Sequence, residues 1–474
     1  MRRMRVASLV VAGAIVLTGG VGSFVRADPA PSEAYITDEQ GRALVLRGFN
    51  TENSAKKTLD GMPEFTEADL GREHQDMGTN FVRFLISWRS IEPQPGVYSE
   101  VYLDLLAERL DWYAERGYHV MLDMHQDLWS AAIAPGRDTG GNGAPAWATH
   151  MDGLPVGSHD MWEMYYLDPG VIRAFDNFWN TTGNHPELAE HYANAWRAVA
   201  QRFADHPAVV AYDLMNEPYG GTLQGPVFES GPLTALYQRT TDAIRTVDED
   251  NWICVAPQAM GNNWGSPSGL GKITDNRDGE QRIAYCPHIY PLPMDLGGGY
   301  EGISRDLVDA TIASWRDNTL RTAASLGDVP IILGEFGLDT TLPGAIDYVE
   351  KIYETAAEMG AGVAYWSRDD GDWGPYEEDG SARNLVAALD KPYPRAVAGT
   401  PISWSSTVDR LELTYRPDPT VSAPTEIYLP WRGFPGGVRV DGGEVLAWDQ
   451  STRLLTLRQP QSAENVAITI TPAP

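Results

Sequence analysis

Between Ala43 and about Asp370 the chain alternates short apolar runs with amphipathic stretches of helical length, and this rhythm restricts the fold more than any other property of the sequence. Eight runs rich in Val, Ile, Leu and Tyr occupy residues 43–50, 81–88, 119–126, 209–217, 253–257, 283–290, 330–337 and 362–369. They are continuously apolar, the pattern of strands buried on both faces of a parallel sheet. Eight βα units in one domain predict an α/β fold, a (β/α)8 TIM barrel. An open doubly wound sheet would need a Gly-rich turn after the first strand, and GFNTENSA supplies none.

Helices are readable where their ends are marked. Residues 64–77 close on Gly78, residues 102–116 close on Gly117, and residues 186–204 stop before His206-Pro207. Two connections are long: the stretch from Asp127 to Gly183 after the third run, and the Pro/Gly-rich PLPMDLGGGYEG after the sixth. Both follow strands, which puts them on the C-terminal face of a barrel, where such folds keep their active sites.

Beyond Lys391-Pro392-Tyr393-Pro394 the texture changes to short β-forming runs (LELTY, EIYLP, GVRVDG, VLAWD, RLLTLR, VAITIT) separated by Gly- and Pro-rich breaks. This predicts a C-terminal antiparallel β-sandwich of seven or eight strands over residues 395–474, after a barrel over 28–394. With no long flexible linker, a module packed on the barrel is the expected arrangement rather than a tethered carbohydrate-binding unit.

The N-terminus, MRRMRVASLVVAGAIVLTGGVGSFVRADPAPS, has early arginines, an apolar stretch from Val6 to Val16 and a small-x-small site at Val25-Arg26-Ala27. It reads as a cleavable signal peptide over residues 1–27 and predicts a secreted protein; the apolar run is too short to span a bilayer. Asp and Glu number 65 against 36 Lys and Arg, and no basic run occurs outside the leader, which excludes nucleic acid as a partner. The 15 Trp outnumber the 11 Phe; Trp fills cores and also stacks on the apolar faces of sugars. Cys254 and Cys286 are compatible with one disulfide or with two buried thiols. Neither has metal-ligand spacing around it, so no metal and no cofactor are expected.

Two glutamates end strand-like runs where a core pattern calls for apolar residues: Glu217 in AYDLMNEPYGG and Glu335 in PIILGEFGLD. A barrel brings the ends of its fourth and seventh strands to opposite sides of one mouth, so both carboxylates can face one small molecule. Glycoside hydrolysis requires such a pair, one protonating the departing oxygen and the other meeting the developing oxocarbenium ion. Asn216, directly before Glu217, is placed to bond a sugar 2-hydroxyl.

Asn216-Glu217-Pro218, Glu335 in LGEFG, Arg83 in FVRFLISW, His288-Ile289-Tyr290 and Trp366, in this order across the strands, resemble glycoside hydrolase family 5. The resemblance implies a retaining mechanism with Glu217 as acid/base and Glu335 as nucleophile. A narrower resemblance covers nearly the whole mature chain. LVLRGFNT with SAK, VMLDMHQD, NGAPAWAT, FDNFWNTTG, VVAYDLMNEP, IAYCPHIYPLP and PIILGEFGLDTTLPGA are similar to secreted actinobacterial endoglycoceramidases. Such enzymes cut the β-glycosidic bond between an intact glycan and the ceramide of glycosphingolipids. The implied sugar-binding residues are Lys56, His125, Asp127, Trp162, Asn216, Tyr290 and Trp366, with Arg83 and His288 supporting the two glutamates.

On this reading Tyr290 donates to Glu335, Arg83 holds Glu335 ionised, and Glu217 has a raised pKa from a nearby carboxylate and partial burial. Between Leu128 and Asn180 lie Trp129, Trp147, Trp162, Trp179, Met151, Met161 and Met164. They either fold the insertion onto the barrel or line a ceramide groove completed by residues 291–294. The expected partner is a glycosphingolipid, sugar head group plus ceramide, met at a micelle or membrane surface by a monomeric enzyme. The competing readings are an endo-glucanase or mannanase with an open aromatic cleft, and a non-catalytic glycolipid-binding protein.

Overall fold

The computed structural model describes residues 33–458, 460 and 464–473; the expected leader lies outside the described residues. Eight parallel strands form the barrel: β2 (Arg47–Asn50), β3 (Phe81–Ile86), β4 (His119–Met124), β5 (Val209–Asp213), β6 (Trp252–Val255), β7 (Ile283–Tyr285), β8 (Ile332–Phe336) and β9 (Gly362–Tyr365). Each lies within one of the eight apolar runs, except that β6 begins one residue before its run, at Trp252. Parallel bridges Tyr285↔Ile331 and His288↔Glu335 join β7 to β8 and close the ring.

Along each strand alternate residues face opposite ways. Val82, Phe84, Val120, Leu122, Tyr212, Ile253 and Leu333 belong to one large core cluster. Phe81, Met121, Ala211, Cys254, Ala284, Ile332 and Ala364 form a second cluster, which plugs the barrel. Cys254 and Cys286 lie in this plug and are joined as a disulfide, which decides between the two alternatives open in the sequence.

Helix Glu67–Met77 starts at a capping box in which Thr66 and Asp69 bond reciprocally, later than the 64–77 expected. It ends at Gly78, whose φ of 61° suits glycine; a Cβ there would fall 2.0 Å from the Tyr428 ring of the C-terminal module. Helices Glu100–Ala114 and Leu188–Phe203 lie within two residues of their expected bounds at each end.

One expectation needs correcting. Residues 43–50 are not a single strand: Ala43–Leu44 (β1) leaves the barrel and pairs antiparallel with Tyr393–Val397 (β10). The remaining strands are β11 (Gly399–Thr407), β12 (Arg410–Pro417), β13 (Thr425–Tyr428), β14 (Val438–Asp441), β15 (Val445–Asp449), β16 (Leu454–Leu457) and β17 (Val466–Pro472). They form two antiparallel sheets, ordered β1-β10-β13-β16-β15 and β11-β12-β17-β14, around a core that includes Val397, Leu413, Ile427, Leu455 and Ile468. Strand β10 runs across residues 394 and 395, so the chain passes from barrel to sandwich inside a strand.

The two modules share polar contacts. Arg42 pairs with Glu426 at 2.7 Å, Tyr393 Oη donates to Gly78 O at 2.8 Å, and Arg395 donates to Gly117 O at 2.9 Å. The Arg47 guanidinium lies over the rings of Tyr353, Tyr393 and Trp404.

Candidate active site

The barrel interior is apolar at its base and charged above. Arg83, fully buried on β3, organises the charged layer. Its Nε donates to Asp213 (2.8 Å), Nη1 to Asn50 (3.0 Å) and Glu335 (2.6 Å), and Nη2 to Asn216 (2.9 Å). Asp123 completes the set, 2.8 Å from Nη2. Burial opposes the charge on Arg83, but Asp123, Asp213 and Glu335 outweigh it and raise its pKa. One guanidinium thus ties the ends of β2, β3, β4, β5 and β8 together.

Glu335, on β8, receives Arg83 on Oε1 and the Tyr290 hydroxyl on Oε2 at 3.0 Å. Both partners predicted for it are in place. Glu217 follows β5 with φ at 40°, left-handed backbone that costs a non-glycine residue about 1–2 kcal/mol. Gln126 stabilises that turn, its Nε2 donating to Asn216 O (2.9 Å) and Glu217 O (3.0 Å).

The Glu217 side chain receives Asn263 Nδ2 on Oε1 at 2.8 Å, and His288 Nδ1 lies 3.0 Å from the same oxygen. Burial, then the Asp127 charge, raise the Glu217 pKa, while Asn263, His125 and Lys56 pull it down. The carboxylate responsible is therefore Asp127, across the mouth. His288 is pushed down to about 4, chiefly by burial, and is neutral near pH 7.

Glu217, His288 and Glu335 each offer a ligand atom within 4.8 Å of the others. That set does not suit a cation: Arg83 already holds Glu335 at 2.6 Å, and a metal ion would face its guanidinium. The same distance bears on stereochemistry. Carboxyl groups about 5–5.5 Å apart suit direct attack by one of them and retention, whereas inversion needs about 6.5–9.5 Å for an intervening water.

A wall of polar groups stands on the β2 and β4 side. Lys56 Nζ lies 2.9 Å from Asp127 and 4.2 Å from the centre of the Trp366 ring. Burial disfavours the Asp127 charge, yet Lys56, His125 and Asn142 hold its carboxyl far below the usual range. His125 contacts Asp123 through Nδ1 at 2.7 Å and stacks on Trp366, ring centres 5.5 Å apart and 16° from parallel. Burial opposes a charge on His125, but Asp123 and Asp127 outweigh it and raise its pKa. A small pocket lined in part by Lys56, Ser87, Arg89, His125 and Asn142 adjoins this wall.

Ten of the eleven predicted site residues meet in this network. Trp162 stands apart on the exposed turn Trp162–Leu167, against Tyr166 with ring centres 6.0 Å apart. Sequence reasoning passed over Asn50, Asp123, Gln126, Asn142, Asp213 and Asn263. Asp123 and Asp213 carried a signal, an acid inside an apolar strand run; Asn263, in a loop, carried none.

A model of the cellulase domain of glycosyl hydrolase family 5 matches residues 37–372, and one of the family 5 C-terminal domain matches residues 391–471. The chain belongs to glycosyl hydrolase family 5. This family 5 enzyme is similar to endoglycoceramidase I of Rhodococcus hoagii (strain 103S), 28% identical over 87% of this chain and 82% of that protein. Among solved structures it is similar to endo-glycoceramidase II from Rhodococcus sp. in complex with ganglioside GM3, at 67% identity and a TM-score of 0.91, over 93% of this chain and 100% of the other. A lactosyl-enzyme intermediate of that Rhodococcus enzyme matches at 67% identity and a TM-score of 0.90, with the same coverage.

The long insertion of the family 5 enzyme divides between the two roles considered for it. Trp129 is buried, and Trp147, Met151 and Trp179 pack against the main core, so these residues fold the loop onto the barrel. Met161, Trp162, Met164 and Leu167 are exposed, as are Leu292 and Leu296 after β7. Asp295 links the two segments: crowding around it and the charges of Glu217 and Glu163 push its carboxyl up to about 8, although its side chain reaches solvent. Both exposed apolar segments thus neighbour a carboxyl that feels the Glu217 charge.

Proposed function

We propose that this enzyme is an endoglycoceramidase, cleaving the β-glycosidic bond between the intact oligosaccharide and the ceramide of glycosphingolipids with retention of configuration. The observation that carries the reading is the close carboxylate pair, with Glu335 held by Arg83 and Tyr290 and Glu217 raised in pKa. Its 67% identity to an enzyme captured as a lactosyl-enzyme intermediate supports the same chemistry.

In the first step a Glu335 oxygen bonds to the anomeric carbon as the bond to the ceramide oxygen breaks, and Glu217 gives its proton to that oxygen. Ionised Glu217 then takes a proton from water, whose oxygen bonds to the anomeric carbon and displaces Glu335. Lys56, His125, Asp127, Asn216 and Trp366 bind the sugars, and Asn216 presents its amide to the 2-hydroxyl. The apolar residues beside Glu217 receive the lipid, and Trp162 serves that side of the site as well as a sugar edge. The enzyme is exported and works as a monomer at a micelle or bilayer surface; the N-terminal pattern supports export and the exposed apolar segments support lipid contact.

Incubation with GM3 ganglioside or lactosylceramide is expected to release intact oligosaccharide, first as the β-anomer, together with free ceramide. Stepwise loss of terminal sugars, or cleavage of cellulose or mannan without release from glycolipid, would overturn the reading. Glu335→Ser is expected to abolish hydrolysis while leaving binding intact.

A further inference from the structure

The loop after β6 reaches the site through one side chain. Asn263 Nδ2 donates to Glu217 Oε1 at 2.8 Å, and Asn263 O accepts from Tyr290 N at 3.1 Å. The loop is also joined to the segment after Glu217, where Ala259 N donates to Pro218 O at 3.3 Å.

A carboxylate holds the loop from behind. Glu229 is buried and belongs to the π-helical turn Glu229–Leu233, which contains Pro232. Its Oε1 accepts from Gln258 N (3.0 Å), Asn262 Nδ2 (3.2 Å) and Ser268 Oγ (3.0 Å), and its Oε2 from Gly269 N (2.5 Å). These four donors bracket Asn263 on both sides. A buried acid with all its bonds inside one loop fixes that loop's shape, and π-turns are found preferentially at functional sites.

Glu217 Oε1 meets a second nitrogen, His288 Nδ1, at 3.0 Å. Neutral His288 has one ring proton, and Nδ1, facing Glu217 and 3.7 Å from Glu335 Oε2, is the nitrogen placed to donate it. With two N–H groups directed at Oε1, the proton of the neutral carboxyl belongs on Oε2. We propose that Asn263, held by Glu229, is a positioning residue that selects Oε2 of Glu217 as the oxygen carrying the transferable proton.

The inference rests on Glu217 being the acid/base. A bond to Oε1 favours the ionised carboxyl, so Asn263 also limits how far the Glu217 pKa is raised. Removing it lets that pKa climb.

The test is the pH profile of kcat/KM for wild type, Asn263→Ala and Glu229→Gln, on detergent-dispersed lactosylceramide and on 2,4-dinitrophenyl lactoside. With lactosylceramide the alkaline limb of N263A is expected to move up by about one pH unit, and that of E229Q to move the same way by less. The dinitrophenyl leaving group needs no proton, so its profile keeps the wild-type limb. An unmoved limb in a folded N263A enzyme, with activity lowered evenly at all pH values, would overturn the inference. Glu217→Ala with added azide tests the underlying assignment separately. Rescue as a β-glycosyl azide with the N263A limb unmoved sinks the inference alone, and absence of rescue sinks the assignment with it.

Discussion

Lys56 Nζ stands 2.9 Å from Asp127 Oδ2, so the cation expected to donate to sugar hydroxyls is already matched with the anion expected to accept from them. A sugar entering between them must replace one short contact with two. The same pair acts on Glu217 with opposite signs, Asp127 raising its pKa and Lys56 lowering it.

Asp127→Asn removes a charge that, after burial, raises the Glu217 pKa, and it leaves Lys56 unopposed. The alkaline limb of kcat/KM on lactosylceramide is expected to fall by about one pH unit, with a higher KM. Lys56→Met should move the limb upward, so the two profiles bracket the wild type. Limbs moving in the same direction would show that neither charge acts on Glu217.

Arg83 is the counter-ion of a buried cluster that cannot rearrange around its loss. Arg83→Met leaves Asp123, Asp213 and Glu335 without their cation, and urea denaturation is expected to show a loss of about 3–5 kcal/mol. Arg83→Lys restores the charge but not the planar fork that reaches Asp213, Asn50, Glu335 and Asn216, so activity should stay low while part of the stability returns.

Leu292 and Leu296 are exposed, on the segment that follows β7. The double substitution to Ser is expected to lower kcat/KM on micellar glycolipid and deepen the need for detergent, with soluble aryl lactosides hydrolysed as before. Parallel losses on both substrates would mean that these residues shape the catalytic site rather than receive lipid.

His119, at the start of β4, is pushed down to about 4 by burial, with Arg395 adding to the effect. An unfolded histidine titrates near pH 6.5. Between those values the unfolded chain binds a proton that the folded chain refuses, so His119 costs stability as pH falls through that window. The Tm difference between His119→Gln and wild type should therefore shift in the variant's favour from pH 7 to pH 5. A difference independent of pH would contradict the neutral state of folded His119.

The barrel was legible because parallel strands covered on both faces leave unbroken apolar runs, and the two glutamates stood out as acids ending such runs. Asp123 and Asp213 were equally visible as acids within VMLDM and AYDL, but nothing local says that one arginine on β3 collects both. Asn263 had no signal: it lies in a loop whose shape depends on Glu229, 34 positions earlier. The run from Ala43 to Asn50 misled because its apolar residues look alike whether they join the barrel or the neighbouring sheet. The disulfide was undecidable until β6 and β7 were known to be adjacent.

Ala43 pairs with Val397. Because β1, the first strand among the described residues, belongs to the C-terminal module's sheet, it cannot be secured until the chain has been made as far as β10. A nascent chain that has completed the barrel still carries Ala43–Leu44 with the edge that faces β10 bare, and so depends on a contact of long sequence separation, the kind formed late and slowly. Strand β10 thus acts as a latch on β1, tying the segment that enters the barrel to the module that follows it.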